Sequence, residues 1–95
     1  MPTTVYKITA MIPRGKVAIY SQIAHLASLR SPRHVGRILH NNHSPSKYPC
    51  HRVVNASGRV AKNYAFGGRL AQRFKLESEG IIFTNNKIDL KKYKW

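Results

Sequence analysis

Residues 20–42, YSQIAHLASLRSPRHVGRILHNN, decide the fold. Read at a helical period, they give two short helices joined by a tight turn. Ser21 is placed to cap the first helix, with Ile23, Leu26 and Ala27 facing inward. Leu29-Arg30 makes the turn. Ser31 is placed to cap the second helix, and Pro32 takes its first position, where proline's missing N–H costs nothing. In this second helix Val35, Ile38 and Leu39 share one face. Arg33, Arg37 and His40 fall on the opposite one, within about one-sixth of a turn of one another. Two short helices, a tight turn and a basic outer face read as a helix-turn-helix; an ordinary solvated face is the plainer reading of the same cations. Asn42 lies on the inner side of the wheel. A buried amide there must be hydrogen-bonded, either as a helix-end cap or as a tie for the segment that follows.

Outward from this unit, Thr3 or Thr4 is placed to cap an N-terminal helix carrying Val5, Ile8 and Ile12, which Pro13-Arg14-Gly15 stops. Val17 to Tyr20 is an extended link. On the other side, His43 to Tyr48 is a loop that delivers Pro49-Cys50. Val53-Val54, the turn Asn55-Ala56-Ser57-Gly58 and Arg59-Val60 read as a hairpin. Lys62 to Gly68 is an aromatic and glycine loop. Arg69 to Glu79 is a last helix, with Leu70 and Phe74 as its apolar pair and Gly80 closing it. Ile81 to Phe83 and Ile88 to Leu90 form a second hairpin about Asn85-Asn86, followed by a basic, aromatic tail. The expectation is one domain over residues 1–95: mainly α, helix-turn-helix and winged-helix-like, with short β-hairpins.

Charge narrows the function. The chain carries 17 Lys and Arg against 3 Asp and Glu, a formal +14. Such an imbalance costs self-repulsion and signals a polyanionic partner: nucleic acid first, an anionic membrane second, a ribosomal or structural role third. No stretch approaches the roughly 20 apolar residues that span a bilayer. Lys7 and Pro13 interrupt the first apolar positions, so no signal peptide is read and the cytoplasm is the expected compartment. One cysteine makes no internal disulfide. The five histidines follow no HxxxH or HExxH spacing, so no metal site is read. The single cysteine lies in Pro49-Cys50-His51-Arg52-Val53-Val54. Neighbouring His and Arg favour a thiolate, and a thiolate is a strong nucleophile; a small buried hydrophobe is the alternative reading.

The runs Ile12-Pro13-x-Gly15-x-Val17, Tyr20-x-x-Ile23-Ala24, Arg33-x-Val35-Gly36, Asn42, Pro49 to Val54, Gly67-Gly68 and Leu76-x-x-Glu79-Gly80 resemble, in order and spacing, the C-terminal domain of the O6-alkylguanine-DNA alkyltransferases. The resemblance covers about three-quarters of the chain. It implies duplex DNA containing O6-alkylguanine as partner, bound through the minor groove by a monomer, with the damaged nucleotide flipped out of the stack. Cys50 would accept the alkyl group in a single SN2 turnover, with no cofactor. His51 would act as base through a water, with Glu79 behind it, and Asn42 would be the hinge of the cysteine loop. Tyr20 would press on a phosphate, Arg33 would replace the flipped base, and Gly36, Arg37 and Arg52 would complete the DNA contacts. Pro49, Val53, Tyr64, Ala65, Phe66 and Gly67 would wall the substrate pocket. The chain departs from the family at Ala65-Phe66, where a small residue usually precedes the glycine pair, and in a Gly58–Gly67 loop about two residues longer than usual. Its one-domain length and Lys-Tyr-Lys-Trp ending also resemble the alkyltransferase-like proteins, which bind alkylated guanine without repairing it. They usually carry Trp or Ala where this chain has Cys50. That reading implies a lesion sensor whose partners are excision-repair proteins.

Overall fold

The computed structural model describes residues 2–42, 44, 46–61, 64 and 66–95. The parts of the expected loops at His43, Pro45, Lys62, Asn63 and Ala65 lie outside them. The first helix, α1, runs Pro2–Met11 and buries Val5 and Thr9, with Ile12 just beyond its end. The expected cap at Thr3 or Thr4 is not used. Both residues lie inside the helix, because a proline at the start already presets the helical φ.

Past Gly15, which adopts φ +86°, strand β1 (Ala18–Ile19) turns directly into helix α2 (Tyr20–Leu26). Helix α2 thus begins one residue before Ser21, and Ser21 is exposed within its first turn. Gln22 does the capping: its Oε1 accepts from the Ile19 N–H at 3.3 Å, and its Nε2 donates to the Trp95 carbonyl at 2.7 Å. Leu26, expected inward, is exposed. The turn that follows has Ser28 in the left-handed region at φ +57°. Its N–H donates to the His25 carbonyl, and the Leu29 N–H reaches back to the Ala24 carbonyl.

Helix α3 (Pro32–His40) follows the sequence reading closely. Ser31 Oγ accepts from the Arg33 N–H at 3.2 Å, Pro32 occupies the first turn, Val35, Ile38 and Leu39 are buried, and Arg33, Arg37 and His40 are exposed.

Strand β2 (Val53–Val54) pairs with β1, in parallel, with Ala18 opposite Val53 and Ile19 opposite Val54. The hairpin expected between Val53-Val54 and Arg59-Val60 is therefore only a turn. The Asn55 N–H donates to the Arg59 carbonyl, and Asn55 Oδ1 gathers the N–H groups of Ser57 and Arg59. β2 takes its ladder from β1 instead, because both of its valines are buried and need a covered partner on each face. The ladder divides the core. Ala18 and Val53 face a cluster with Val5, Ile12, Ile23, Val35, Leu39 and Cys50. Val17 and Val54 face a second cluster with Leu76, Ile81, Ile88 and Tyr93.

Helix α4 (Gly68–Ser78) corrects another expectation. Leu70 and Phe74 point outward, 82% and 72% exposed, and the buried face carries Gln72 and Leu76. Gly80 ends the helix at φ +93°. The hairpin β3 (Phe83–Thr84) and β4 (Lys87–Ile88) turns on Asn85 and Asn86, both at positive φ, as a two-residue hairpin loop requires. It is pinned to the Asn55–Arg59 turn: the Ile88 N–H donates to the Gly58 carbonyl at 2.8 Å, and a Cβ on Gly58 would lie 2.5 Å from the Ile88 carbonyl oxygen. Helix α5 (Leu90–Tyr93), capped by Asp89, returns the chain to β1. There the Val17 N–H donates to the Tyr93 carbonyl and the Trp95 N–H donates to the Val17 carbonyl. No helix among the described residues is long and apolar enough to cross a membrane.

Candidate functional site

The cysteine sits on a 3-10 turn, Cys50–Arg52, that leads into β2. Its N–H donates to the Tyr48 carbonyl at 2.7 Å, and the Arg52 N–H donates to the Pro49 carbonyl at 3.0 Å. Asn42, buried just after α3, holds the approach to this turn. Its Nδ2 donates to the same Tyr48 carbonyl at 2.8 Å, and its Oδ1 accepts from the Ser44 N–H at 2.9 Å. The amide on the inner side of the wheel thus ties the cysteine loop to α3.

Cys50 faces a cavity of about 890 Å³ between the helix-turn-helix and the loop before α4. Tyr20, Gly36, Arg37, Asn55 and Tyr64 line it with the sulfur. Behind the turn the polar groups are dense. Glu79, at the end of α4, has a side chain only 6% exposed. Arg52 grips its carboxylate with two bonds, Nε to Oε1 at 3.0 Å and Nη2 to Oε2 at 2.7 Å, and its Nη1 donates to the Ile12 carbonyl at 2.8 Å. His51 Nε2 meets Glu79 Oε2 at 3.0 Å. The fully buried Gln72 completes the frame: its Nε2 donates to the His51 and Val53 carbonyls, both at 2.9 Å, and its Oε1 accepts from the Ala61 N–H at 2.7 Å.

This arrangement sets the protonation states. Burial pushes the Cys50 thiol above its ordinary range, against smaller opposing effects of an Asn42 hydrogen bond, the Lys75 charge and a Tyr64 hydrogen bond. Burial also pushes His51 down, although its hydrogen bond to Glu79 and the carboxylate's charge pull the other way. For Glu79, burial works upward but is outweighed by hydrogen bonds and charge from Arg52 and His51, so the net direction is down. Tyr20 is pushed up to about 12 by burial and then by the nearby sulfur. Near neutrality the site therefore holds a neutral thiol, a neutral imidazole and an ionised carboxylate. A neutral imidazole backed by a carboxylate can accept a proton. No hydrogen bond among the described residues joins the His51 ring to the Cys50 thiol.

The other expected site residues fall in distinct places. Arg37 and Gly36 border the cavity, whereas Arg33 is exposed at the start of α3 and does not line it. Arg52, expected among the DNA contacts, has its guanidinium turned inward onto Glu79 and Ile12, away from the exposed basic face. Pro49 and Val53 are buried behind the cavity wall, and Gly67, at φ +117°, opens α4. Among the described residues, Tyr64 alone of the expected pocket residues lines the cavity. Phe66 stacks edge-on against Tyr64 at 5.7 Å between ring centres and does not enter the cavity. Ala65 lies outside the described residues. Sequence reasoning passed over Asn55, Ala61 and Gln72. Gln72 gave one signal, a polar residue at an inward position of α4. Among the described residues no cluster of His, Cys, Asp or Glu could hold a metal ion.

Residues 1–81 match the family described as 6-O-methylguanine DNA methyltransferase, DNA binding domain. A DNA base-flipping protein of Vibrio parahaemolyticus is 40% identical over 93 residues, spanning 96% of this chain and 91% of its own length. The crystal structure of alkyltransferase-like protein 1 from Schizosaccharomyces pombe, in complex with damaged DNA containing O6-carboxymethylguanine, superposes with a TM-score of 0.88 at 32% identity; 99% of this chain and 93% of that one are covered. The O6-methylguanine methyltransferase of Mycobacterium tuberculosis gives a TM-score of 0.72 at 33% identity, over 82% of this chain and 47% of that one.

Proposed function

This chain belongs to the 6-O-methylguanine DNA methyltransferase DNA-binding-domain family, and from that premise we propose that it binds duplex DNA through α3, flips an O6-alkylguanine into the cavity beside Cys50 and marks the lesion for excision repair. One observation carries the reading: a cavity of about 890 Å³ opens between the helix-turn-helix and the Cys50 turn, with Tyr20 and Arg37 on its wall. A flipped base needs a recess next to the element that contacts the duplex, because its backbone stays with that duplex. The exposed cations of α3 supply phosphate contacts. Arg33, at the helix start, is the residue that takes the vacated place in the stack. The relatives of similar length, a base-flipping protein and a lesion-bound alkyltransferase-like protein, support the sensor over the transferase.

A second reading is favoured by Cys50 itself. Cys50 lines the cavity, and His51, next to it in sequence, is bonded to Glu79. Transfer requires the thiol to lose its proton, attack the alkyl carbon and release guanine at O6, leaving a thioether on Cys50.

The test is titration of the protein with two duplexes that differ only by an O6-methyl group, followed by intact-mass analysis over hours. The sensor reading expects clear preference for the lesion, an affinity that falls with salt, and unchanged mass. Gain of one methyl mass on Cys50 replaces it with the transferase reading. Equal affinity for both duplexes removes both.

A further inference from the structure

We propose that the recess between the Asn55–Arg59 turn, the start of α4 and the β3–β4 turn is a second phosphate site, which takes a backbone phosphate of the duplex whose damaged nucleotide occupies the Cys50 cavity. It rests on the lesion-binding reading for its partner, and on its own residues for its chemistry. The recess has a volume of about 560 Å³ and is lined by Arg59, Arg69 and Arg73 together with Asn55 and Asn86. Asn55 also lines the Cys50 cavity, so the two recesses share a wall. A nucleotide flipped into the first keeps its strand continuous, and that strand leaves along the cavity rim.

The recess gathers positive charge that the protein itself does not neutralise. Among the described residues, the Arg59 and Arg69 guanidiniums have no hydrogen-bond or ion-pair partner. Of the 3 acids in the chain, Glu79 is held by Arg52 and His51, and Asp89 caps α5. Glu77 is left, and it meets Arg73 Nε at 3.4 Å with its side chain 47% exposed. Arg69 stands in the first turn of α4, where the helix dipole favours an anion, yet that turn holds no acid. Arg69 and Arg73 are also one helical turn apart, a spacing at which like charges repel. An anion seated between them relieves all of these strains.

The cations are held in place. The Arg73 guanidinium carbon lies 4.6 Å from the centre of the Phe83 ring, and Nη1 donates to Asn86 Oδ1 at 2.8 Å. With Nε turned to Glu77, the guanidinium keeps further N–H donors for a guest. Arg59 is carried by a pinned turn: Asn55 Oδ1 accepts from the Ser57 and Arg59 N–H groups, and the Ile88 N–H donates to the Gly58 carbonyl. The planar fork of arginine matches the oxygens of a phosphate, which is why arginine is the favoured side chain at such sites.

The test removes the charge of one phosphate at a time. A duplex containing O6-methylguanine is made with a single neutral methylphosphonate at each position in turn, and its affinity for the full chain is measured at about 0.1 M salt. In the parent, each contacted phosphate is expected to show about a five- to tenfold loss, the share of one phosphate in counterion release. Arg59→Ala/Arg69→Ala is expected to bind the unsubstituted duplex about tenfold more weakly and to make the log–log salt slope shallower by about one. It is expected to become insensitive to substitution at one or two phosphates, while the positions that fall silent in Arg37→Ala keep their full effect. The scan is repeated on the unmodified duplex, so failure of lesion preference and failure of the phosphate site are read separately. A double variant that binds more weakly yet stays sensitive at every phosphate has lost net charge only, and overturns the proposal. So does one that binds as the parent does. Competition by inorganic phosphate at constant ionic strength separates the sources: if it depends on Arg59 and Arg69 while the scan is unchanged, the recess takes free phosphate, and the assignment to the DNA backbone falls.

Discussion

The two sides of the Cys50–Arg52 turn are built from opposite materials. Behind the turn, His51, Arg52 and Glu79 form a closed charged cluster in which the donors and acceptors named above are paired. In front of it, Cys50 faces the cavity as a buried neutral thiol among aromatic walls. The charged cluster locates the turn against α4 and Ile12. The cavity side leaves room for a flat guest beside Tyr20 and Tyr64. The guanidinium nearest to Cys50 in sequence, that of Arg52, is bound to Glu79. The strong electrostatics therefore serve position, and reactivity depends on drawing the thiol proton away.

The largest effect that separates the two sides is expected from Glu79→Gln. It leaves the half-buried Arg52 against a neutral amide and should cost about 3 kcal/mol, the lower end of the scale for breaking a buried pair by removing one partner. Chemical denaturation measures it. A loss under 1 kcal/mol would mean that the cluster does not hold the turn.

The pH dependence of stability divides in the same way. Glu79 is depressed, so its contribution is present above the ordinary glutamate range, about 4.3, and is lost as pH falls through its lower folded value. His51 is also depressed; its contribution is present above about 6.5 and declines as the unfolded chain takes up the proton first. Cys50 is raised, so its contribution is present below about 8.5 and is lost as pH rises towards its higher folded value. Melting temperature should plateau between those limits. Cys50→Ala should remove the alkaline decline that sets in near about 8.5 and leave in place both the acid decline and the later one, above about 10, brought by the raised Tyr20 phenol. Loss of the acid limb together with the limb near about 8.5 would show that the two sides titrate as one unit.

Smaller again is Ser28→Gly, far from either side. Ser28 carries a left-handed φ at the end of α2 that glycine adopts freely, so the change should stabilise by about 0.5–1 kcal/mol. The least effect is expected from Leu70→Ser on the outer face of α4, within about 0.5 kcal/mol by the same denaturation assay.

The helix-turn-helix was legible because its signals are local. Ser31 and Pro32 begin α3 where capping rules put them, and Val35, Ile38 and Leu39 repeat at the helical period. Asn42 was legible as an inner amide for the same reason. What sequence did not carry was set by partners distant in the chain. β2 chose β1 over its own neighbour Arg59-Val60, a choice no local alternation encodes. On α4 the apolar pair Leu70 and Phe74 gave the wrong face. The inward position belongs to a glutamine that satisfies three backbone groups at once, so polarity there marks burial. The Cys50 neighbourhood misled similarly: His51 and Arg52 are next to it in sequence, yet the turn aims both at Glu79, and burial raises the thiol they were expected to lower.

The tie of residues 93–95 to Val17, and of Trp95 to Gln22, has a consequence in time. On the ribosome, α1, α2 and α3 emerge early and can pack on one another at once. The outer edge of β1 and the far end of the Gln22 bridge find their partners only when residues 93–95 have cleared the exit tunnel. A nascent chain stalled short of them presents a helical unit anchored on one side. Protease resistance of that unit on stalled ribosomes should rise in the step that exposes residues 93–95, and a rise already complete once residue 60 is exposed would show that the closing segment is dispensable.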